Sequence, residues 1–222
     1  MPCALCGDII PTRVTRCPAC GALARHRDFR ALGIAVFMLL GFNAFVALGS
    51  AISLSRLVRT LGAATTDSYD PETAGRAVSP SSDAFVTSVM MAALTALLFL
   101  PWLWMAYREA SPRRYRRVWA VAGWICPVVN LWLPPRLVYD MWVNGGRHRT
   151  AERRAIATVV TAWWVSLLAA MWLAWAFTGG DAGTLPQARL AVRLGIAAMA
   201  AEALAAVLCM VIVFRINRLH SG

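Results

Sequence analysis

The stretch from Leu190 to Phe214 reads LAVRLGIAAMAAEALAAVLCMVIVF, and it indicates which class of fold the chain adopts. Its residues are apolar apart from Arg193 and Glu202. About twenty consecutive apolar residues form a helix long enough to cross the ~30 Å hydrocarbon core of a bilayer. The stretch therefore predicts a transmembrane helix that carries one carboxyl group near its middle.

Three further apolar blocks have the same character, and they run from Ala31 to Ser55, from Ala84 to Tyr107 and from Ala155 to Thr178. The 222 residues are 59% hydrophobic and only 15% charged, which excludes a soluble domain. The sequence predicts an all-α membrane protein with four transmembrane helices, the first extended by apolar residues between 57 and 61. No cleavable signal peptide is expected ahead of the first helix, because a cysteine-rich segment occupies its place.

The distribution of arginine predicts the topology. The formal net charge is +11 and lysine is absent, so all 22 basic residues are arginine. Cytoplasmic loops of membrane proteins are enriched in Lys and Arg. Seventeen of these arginines face the cytosol if both termini are cytoplasmic and residues 118–143 do not cross. We predict a multi-pass protein of the cell membrane with four crossings, and we attribute its charge to topology and anionic lipid rather than to nucleic acid.

Residues 118–143 are the unusual part of this predicted fold. Their apolar portion ends at Leu133, and its sixteen residues would make a helix of about 24 Å, short for a crossing. Pro127 interrupts this portion, and Pro134 and Pro135 are expected to end it. We predict a broken, re-entrant element, surrounded by protein or water. A short interfacial helix from Arg136 to Val143 should follow. The apolar face of that helix is expected to contain Leu137, Val138, Met141 and Trp142.

Tryptophans are frequent in and around this element. Indole rings anchor at the headgroup level of membranes. We expect that level for Trp119, Trp124, Trp132 and Trp142. Belt or packing positions are expected for the pairs Trp102 with Trp104 and Trp163 with Trp164.

The same segment resembles a known family. Residues 117–142, RVWAVAGWICPVVNLWLPPRLVYDMW, are similar to the core motif of the bacterial membrane family named domain of unknown function 4328, common in actinobacteria. That motif resembles Gly-Trp-aromatic-x-Pro-x-x-Asn, then a Pro-containing turn and a short helix ending in Trp. The matching residues are Gly123, Trp124, Pro127, Asn130, Pro134 and Trp142. The chain departs from the motif at Ile125 and at Pro135 with Arg136, where aromatic residues are usual.

The resemblance implies an architecture and supplies no activity. Over roughly Ala31 to Arg218 it implies four helices plus the re-entrant element. Trp163 and Trp164 look like the Trp-Trp pair that opens the next helix in that family. Some relatives are similar in carrying an amino-terminal zinc ribbon.

The amino-terminal segment contains two Cys-x-x-Cys pairs, each followed by glycine: Cys3 with Cys6, and Cys17 with Cys20. Two such turns offer four thiolates, the ligand set of a closed tetrahedral zinc site. Ten residues separate the pairs, fewer than is usual in four-cysteine zinc sites. We predict that residues 1–24 form a minimal cytoplasmic zinc ribbon.

Three other interpretations of these cysteines stay open: a disulfide framework, a redox switch and an iron–sulfur centre. The remaining residues, 25–222, form the predicted membrane domain. Its two cysteines, Cys126 and Cys209, lie in apolar runs and are predicted to be small buried hydrophobic residues.

Glu202 is the costliest residue of the predicted bundle, because an ionised carboxylate near the bilayer centre costs several kcal/mol. Asn43 lies at the matching depth of the first helix, and Thr95 and Ser166 lie near the centres of the second and third crossings. Such a polar layer could carry protons or ions. The alternative is that these groups hydrogen-bond between helices, which contributes ~0.6 kcal/mol each.

Asn130, in the broken element, is a further candidate. It either lines a site or satisfies backbone groups freed by Pro127. Catalysis is not expected, because His26, His148 and His220 lack ligand spacing and no phosphate-binding glycine loop is present.

Two functions agree with these features. Our leading hypothesis is a non-enzymatic scaffold or regulatory membrane protein whose zinc ribbon docks a protein partner or another copy of the chain. The alternative is a small transporter or channel that uses the polar layer around Glu202. A cavity reaching Glu202 favours transport, whereas a packed centre favours scaffolding.

Overall fold

The computed structural model describes residues 6–9, 17–20, 29–63, 70, 72, 83–109, 115–116, 118–144, 148–178 and 183–219. The regular structure of these residues is helical. The helices are α1 (Phe29–Ala63), α2 (Asp83–Glu109), α3 (Trp119–Ile125), α4 (Pro127–Asn130), α5 (Leu133–Asn144), α6 (Thr150–Thr178) and α7 (Leu185–Leu219).

Four helices, α1, α2, α6 and α7, are long and apolar enough to cross a membrane, as predicted. All four are longer than the apolar blocks that predicted them. The reason is that backbone hydrogen bonds continue through polar turns beyond an apolar stretch, since each helical N–H bonds a carbonyl four residues earlier whatever the side chain.

The extension of α1 to Ala63 confirms the expectation for residues 57–61. Leu61 packs in a small core with Phe177, Leu185 and neighbouring residues of α7. Arg189 of α7 donates hydrogen bonds to the Leu61 carbonyl, with N···O distances of 2.7 and 3.0 Å. The last carbonyls of a helix have no partner within it. The arginine therefore caps α1 and ties its end to α7.

The four long helices pack in the order α2, α1, α7, α6. Helix α1 packs against α2 and α7, and α7 packs against α6. Over the described residues, α2 and α6 do not pack extensively against each other. The short helices occupy part of this space, since α3 packs against α2 and α5 packs against α2, α6 and α7.

The segment predicted to be broken is broken at Cys126. This residue has extended backbone (φ −80°, ψ 112°), so α3 ends at Ile125 and α4 begins at Pro127. Proline lacks the N–H that an uninterrupted helix would use at this point. The Asn130 N–H then donates to the Cys126 carbonyl at 2.8 Å, which closes the single turn of α4.

The expectation that Pro134 and Pro135 end an element was wrong. Both prolines lie in the first turn of α5, which begins at Leu133. Proline is tolerated there because the first N–H groups of a helix have no intrahelical acceptor. The prolines therefore start the helix that the sequence placed after them.

The apolar face predicted for this helix is present and buried. It consists of Leu137, Val138, Met141 and Trp142, with Leu133 and Pro134 added at the start. All of these residues except Pro134 belong to the main core with α2, α6 and α7. Trp142, which we expected at the headgroup level, thus packs against protein.

The two cysteines of the membrane domain, Cys126 and Cys209, differ in their exposure. Cys209 is buried in the main core, as predicted. Cys126 is exposed, which contradicts the prediction. It lies where the helix breaks, and the break directs its side chain away from the bundle.

Candidate functional site

A cavity of about 270 Å³ lies inside the bundle, with walls from α1, α2, α3, α6 and α7. On α7 its lining extends from Glu202 to Cys209, and on α2 from Ala92 to Leu100. At 1.5 Å per helical residue, both spans correspond to roughly 10 Å along the bundle. The cavity is therefore elongated along the helices.

The polar groups of the cavity come from three helices: Asn43 of α1, Thr95 of α2 and Glu202 of α7. The Thr95 hydroxyl donates to the Met91 carbonyl at 2.7 Å. Its oxygen accepts from the Asn43 Nδ2 group, at the longer distance of 3.5 Å. Because the hydroxyl proton is used on Met91, Thr95 can only accept from Asn43. The Asn43 Oδ1 atom must then point elsewhere.

Asn43 is only 6% exposed. Its Oδ1 atom is buried and receives no hydrogen bond from any described residue. A buried acceptor without a donor costs about 1–3 kcal/mol. This atom marks a place in the wall where a donor is missing.

Glu202 is the middle residue of α7 and is half-buried at the wall of the cavity. The residues that line the cavity include this one acid and no base. Within the described part of the chain, its carboxyl group makes no hydrogen bond or ion pair. The bundle thus holds an acidic group at the centre of a long apolar helix, and the residues of the cavity lining supply no cation.

Aromatic rings form one end of the cavity. Trp124 of α3 contacts Phe99 of α2 and Trp164 of α6 edge-on, with ring centroids 5.6 and 5.5 Å apart. Phe99 and Trp163 lie 6.3 Å apart and line the same end. The Trp124 Nε1–H is buried and has no acceptor among the described residues. The broken element therefore contributes the Trp124 ring to the cavity wall, and its N–H is a buried donor that no described residue accepts.

Glu202 lies toward the end of the cavity opposite these rings. The Trp102 indole donates to Asn217 Oδ1 at 3.1 Å, which places the carboxyl-terminal ends of α2 and α7 at the same end of the bundle. Phe99 precedes Trp102 by less than one turn, whereas Glu202 precedes Asn217 by about four turns. The cavity is thus aromatic at one end and acidic at the other.

The cavity opens between α2 and α6. Three residues of its lining, Ala92, Ala96 and Met171, are also exposed on the outer face of the bundle. Two of them are alanines, so the wall is thin on the α2 side. We call this opening the portal.

The structure brings together some of the predicted polar residues and leaves out others. Asn43, Thr95 and Glu202 share the cavity. Ser166 is buried on α6 but does not line it. Asn130 lies on α4 outside the cavity, and its Oδ1 atom is buried with no hydrogen bond from the described residues.

Phe99, Trp124 and Trp163 were not predicted to line a site. Sequence analysis assigned Trp124 to the headgroup level and Trp163 to a belt or to packing. The family motif contained a usable signal, because it joins Trp124 and the Trp-Trp pair in one pattern. In the structure these motif residues contact one another, which explains why they occur in the same motif.

Three of the four predicted zinc ligands also lie together. The sulfurs of Cys6, Cys17 and Cys20 are all within 4.8 Å of one another. Cys3 lies outside the described residues. The Cys6 and Cys17 sulfurs are 3.6 Å apart, too far for a disulfide bond of about 2.05 Å.

This spacing suits zinc. Two thiolates bound at about 2.3 Å to one tetrahedral ion lie roughly 3.8 Å apart. Gly7, directly after Cys6, has φ +75°, a conformation that glycine adopts without strain and that turns the chain beneath the sulfur. The donor set therefore fits the predicted structural zinc site, and zinc binding itself stays a prediction.

Motif residues hold the broken element in place. A Cβ atom on Gly123 would lie 2.9 Å from Leu133 Cδ2, so glycine permits α3 to pack closely on the start of α5. The Trp164 Nε1–H donates to the Leu131 carbonyl at 2.9 Å, between α4 and α5.

The fold and the cavity define a helical protein whose described residues include four helices suited to crossing a membrane. The chain belongs to the family described as Domain of unknown function (DUF4328), which it matches over residues 65–218. This match confirms the resemblance seen in residues 117–142. The cysteine segment and α1 precede the matched region. No curated protein and no solved structure matches the chain.

Proposed function

We propose that this protein is a small membrane transporter whose substrate site is the cavity around Glu202. The observation that carries the proposal is that a cavity reaches Glu202 instead of a packed centre. Ionisable residues at membrane depth are costly, and they commonly mark substrate, ion or proton pathways. A carboxyl group without a protein cation is suited to exchange a proton or to bind a positively charged substrate.

The proposed membrane placement has both termini in the cytoplasm and residues 118–143 re-entering the membrane from that side. The charge distribution supports it, because seventeen arginines then face the cytosol. The bond from Trp164, the middle residue of α6, to the Leu131 carbonyl also supports it. A partner at the midpoint of a spanning helix lies well below the headgroups.

Reconstituted flux tests the proposal. Purified full-length protein in liposomes should move protons or cations down an imposed gradient, and Glu202→Gln should abolish that movement. Glu152→Gln is the matched control, because this carboxylate is 54% exposed at the start of α6, outside the cavity. Flux no greater than in empty liposomes, or equal flux in wild type and Glu202→Gln, would contradict transport.

The second candidate function is scaffolding through the amino-terminal cysteines, supported by the clustering of Cys6, Cys17 and Cys20. A closed four-thiolate zinc module holds a fold and leaves no open metal position for chemistry. We therefore propose docking of a protein partner or of another copy of the chain, and no enzymatic activity. Comparing the partners and the oligomeric state of wild type and Cys17→Ser/Cys20→Ser tests this function. Identical results for both proteins would rule it out.

A further inference from the structure

We infer that the cavity binds a small organic ammonium ion with an apolar body, which enters from the lipid through the portal between α2 and α6. This inference deepens the proposed function and rests on the same substrate site. It follows from the groups that the protein leaves unmatched in the cavity wall.

The unmatched groups at the acidic end are acceptors. Glu202 has no basic residue beside it in the cavity lining. Asn43 Oδ1, on a side chain that is 94% buried, has no donor among the described residues because Thr95 fixes the orientation of its amide. A ligand that carries a positive charge would match the Glu202 carboxyl group, which lines the cavity.

An inorganic cation fits this cavity poorly. Hard cations such as Ca²⁺ require six to eight oxygen ligands, and Mg²⁺ requires six in octahedral geometry. The side chains of the lining offer oxygen only from Asn43, Thr95 and Glu202. The other lining side chains are apolar or aromatic, apart from the thiol of Cys209 and the indole nitrogens. These surfaces can cover the carbon atoms of an organic cation but cannot replace a hydration shell.

The aromatic end is suited to the body of such a ligand. Phe99, Trp124 and Trp163 present ring faces and edges there, and aromatic rings attract organic cations as well as apolar groups. The inferred ligand therefore has its charge near Glu202 and its apolar part toward Trp124.

Size and access limit the ligand further. A volume of about 270 Å³ is slightly below the ~300–1,000 Å³ range of pockets for drug-sized ligands. The portal opens on the lipid-facing side of α2 and α6, where Ala92, Ala96 and Met171 are exposed. Amphiphilic amines concentrate in membranes, so they reach this opening without crossing the aqueous loops.

Binding of benzyldimethylamine by full-length protein in nanodiscs of phosphatidylglycerol tests the inference. This probe is largely protonated at neutral pH, has one aromatic ring, and keeps a neutral form that dissolves in lipid. Its neutral carbon isostere, isobutylbenzene, is the matched control ligand. We expect saturable calorimetric binding of the cation, at least tenfold weaker in Glu202→Gln and unchanged in Glu152→Gln. The isostere should bind at least tenfold more weakly than the cation.

Three outcomes would overturn the inference: equal binding of cation and isostere, no saturable binding of the cation, or no change in Glu202→Gln when circular dichroism shows that the variant is folded. Nanodiscs of phosphatidylcholine separate two sources of ammonium. Phosphatidylglycerol concentrates any cation at its surface, so the ratio of wild-type to Glu202→Gln affinity is compared between the lipids. The same ratio in both lipids is expected for a free amine, whereas its loss in phosphatidylcholine would assign the site to a lipid headgroup instead.

The outcome for the ligand class is separable from the outcome for transport. Glu202-dependent binding without flux would reject the transporter and retain the ammonium site. Glu202-dependent proton flux without cation binding would retain the transporter and reject the ammonium site.

Discussion

The indole N–H of Trp164 donates a hydrogen bond to the carbonyl of Leu131, 2.9 Å away. Leu131 lies in the turn between α4 and α5, and the residues three and four positions after it, Pro134 and Pro135, have no N–H to donate to its carbonyl. Polar backbone freed by a helix break must find another partner in an apolar environment. The bond therefore secures the broken element against α6, beside the aromatic end of the cavity.

Replacing Trp164 with phenylalanine should destabilise the protein by about 1 kcal/mol, since interhelical hydrogen bonds in membrane proteins contribute on this scale. The smaller phenyl ring also loses part of the contact with Trp124 and Trp163, so about 1 kcal/mol is a lower bound that combines the lost N–H donor with lost packing. Thermal unfolding in detergent measures it as a lowered Tm. Trp172→Phe is the control on the same helix, because Trp172 is 66% exposed, and its Tm should stay near wild type. Equal Tm values for both variants would show that the bond to Leu131 contributes nothing.

Gly33→Ala should destabilise the protein more than the addition of a single methyl group suggests. A Cβ at this position would collide with the side chain of Asn217, which accepts the hydrogen bond from Trp102. Overpacking of this kind costs about 1–3 kcal/mol. Gly49→Ala on the same helix has open space around it and should be neutral or slightly stabilising, because alanine is the better helix former. Both values come from thermal unfolding, and a Gly33→Ala protein as stable as Gly49→Ala would contradict the close packing of α1 on α7.

Zinc content tests the cysteine cluster. Purified full-length protein should contain one zinc ion per chain by elemental analysis. Cys17→Ser should lose it, because serine cannot supply the thiolate that zinc prefers. Cys3→Ser should lose it too if Cys3 is the fourth ligand, whereas Cys209→Ala should retain it. Iron in place of zinc, or metal retained in Cys17→Ser, would contradict the predicted ribbon.

Access through the portal should depend on Ala96. A phenylalanine there would fill the opening between α2 and α6, so uptake or binding of benzyldimethylamine should slow at least tenfold. Ala93→Phe adds the same ring at an exposed position of α2 that does not line the cavity, and it should have little effect. Stopped-flow binding kinetics distinguish the two variants. Equal rates would place the entrance elsewhere.

Cysteine labelling tests the topology in a background that lacks the six native cysteines. A membrane-impermeant maleimide should label Ser68→Cys from outside and Ser111→Cys only after permeabilisation. Asn144→Cys, after the broken element, is decisive. Four crossings place it inside with the arginines at 147–154, where the charge rule acts strongly. Labelling of Asn144→Cys from outside would mean that residues 118–143 cross the membrane.

Much of the fold was predictable because the signals are local. Apolar blocks predicted all four long helices, and Pro127 predicted the break that occurs one residue before it, at Cys126. The residues of the buried α5 face were predicted from their spacing alone. The role of Pro134 and Pro135 was misjudged because proline ends one helix and begins another equally well, and only the packing of α5 selects between them.

The candidate site was only partly predictable. Glu202 and Asn43 could be singled out because a polar group in an apolar block is conspicuous wherever the block lies. The contribution of Trp124 could not be foreseen, since it depends on α3 folding back against Phe99 and Trp164. Exposure of Cys126 likewise depends on the direction of the chain at the break.

By itself, the sequence determined the class of structure, the number of long helices, the position of the break and the residues that are costly inside a membrane. These are properties of single segments, since hydropathy, charge and proline act through the local backbone. Only the tertiary structure decided that α2 and α6 stay apart, that a cavity forms between them, and that Glu202, Asn43 and Trp124 share it. The physical reason is that a cavity is the space left after side chains from distant segments have packed. Its position therefore depends on all of those segments together and cannot be predicted from any one of them.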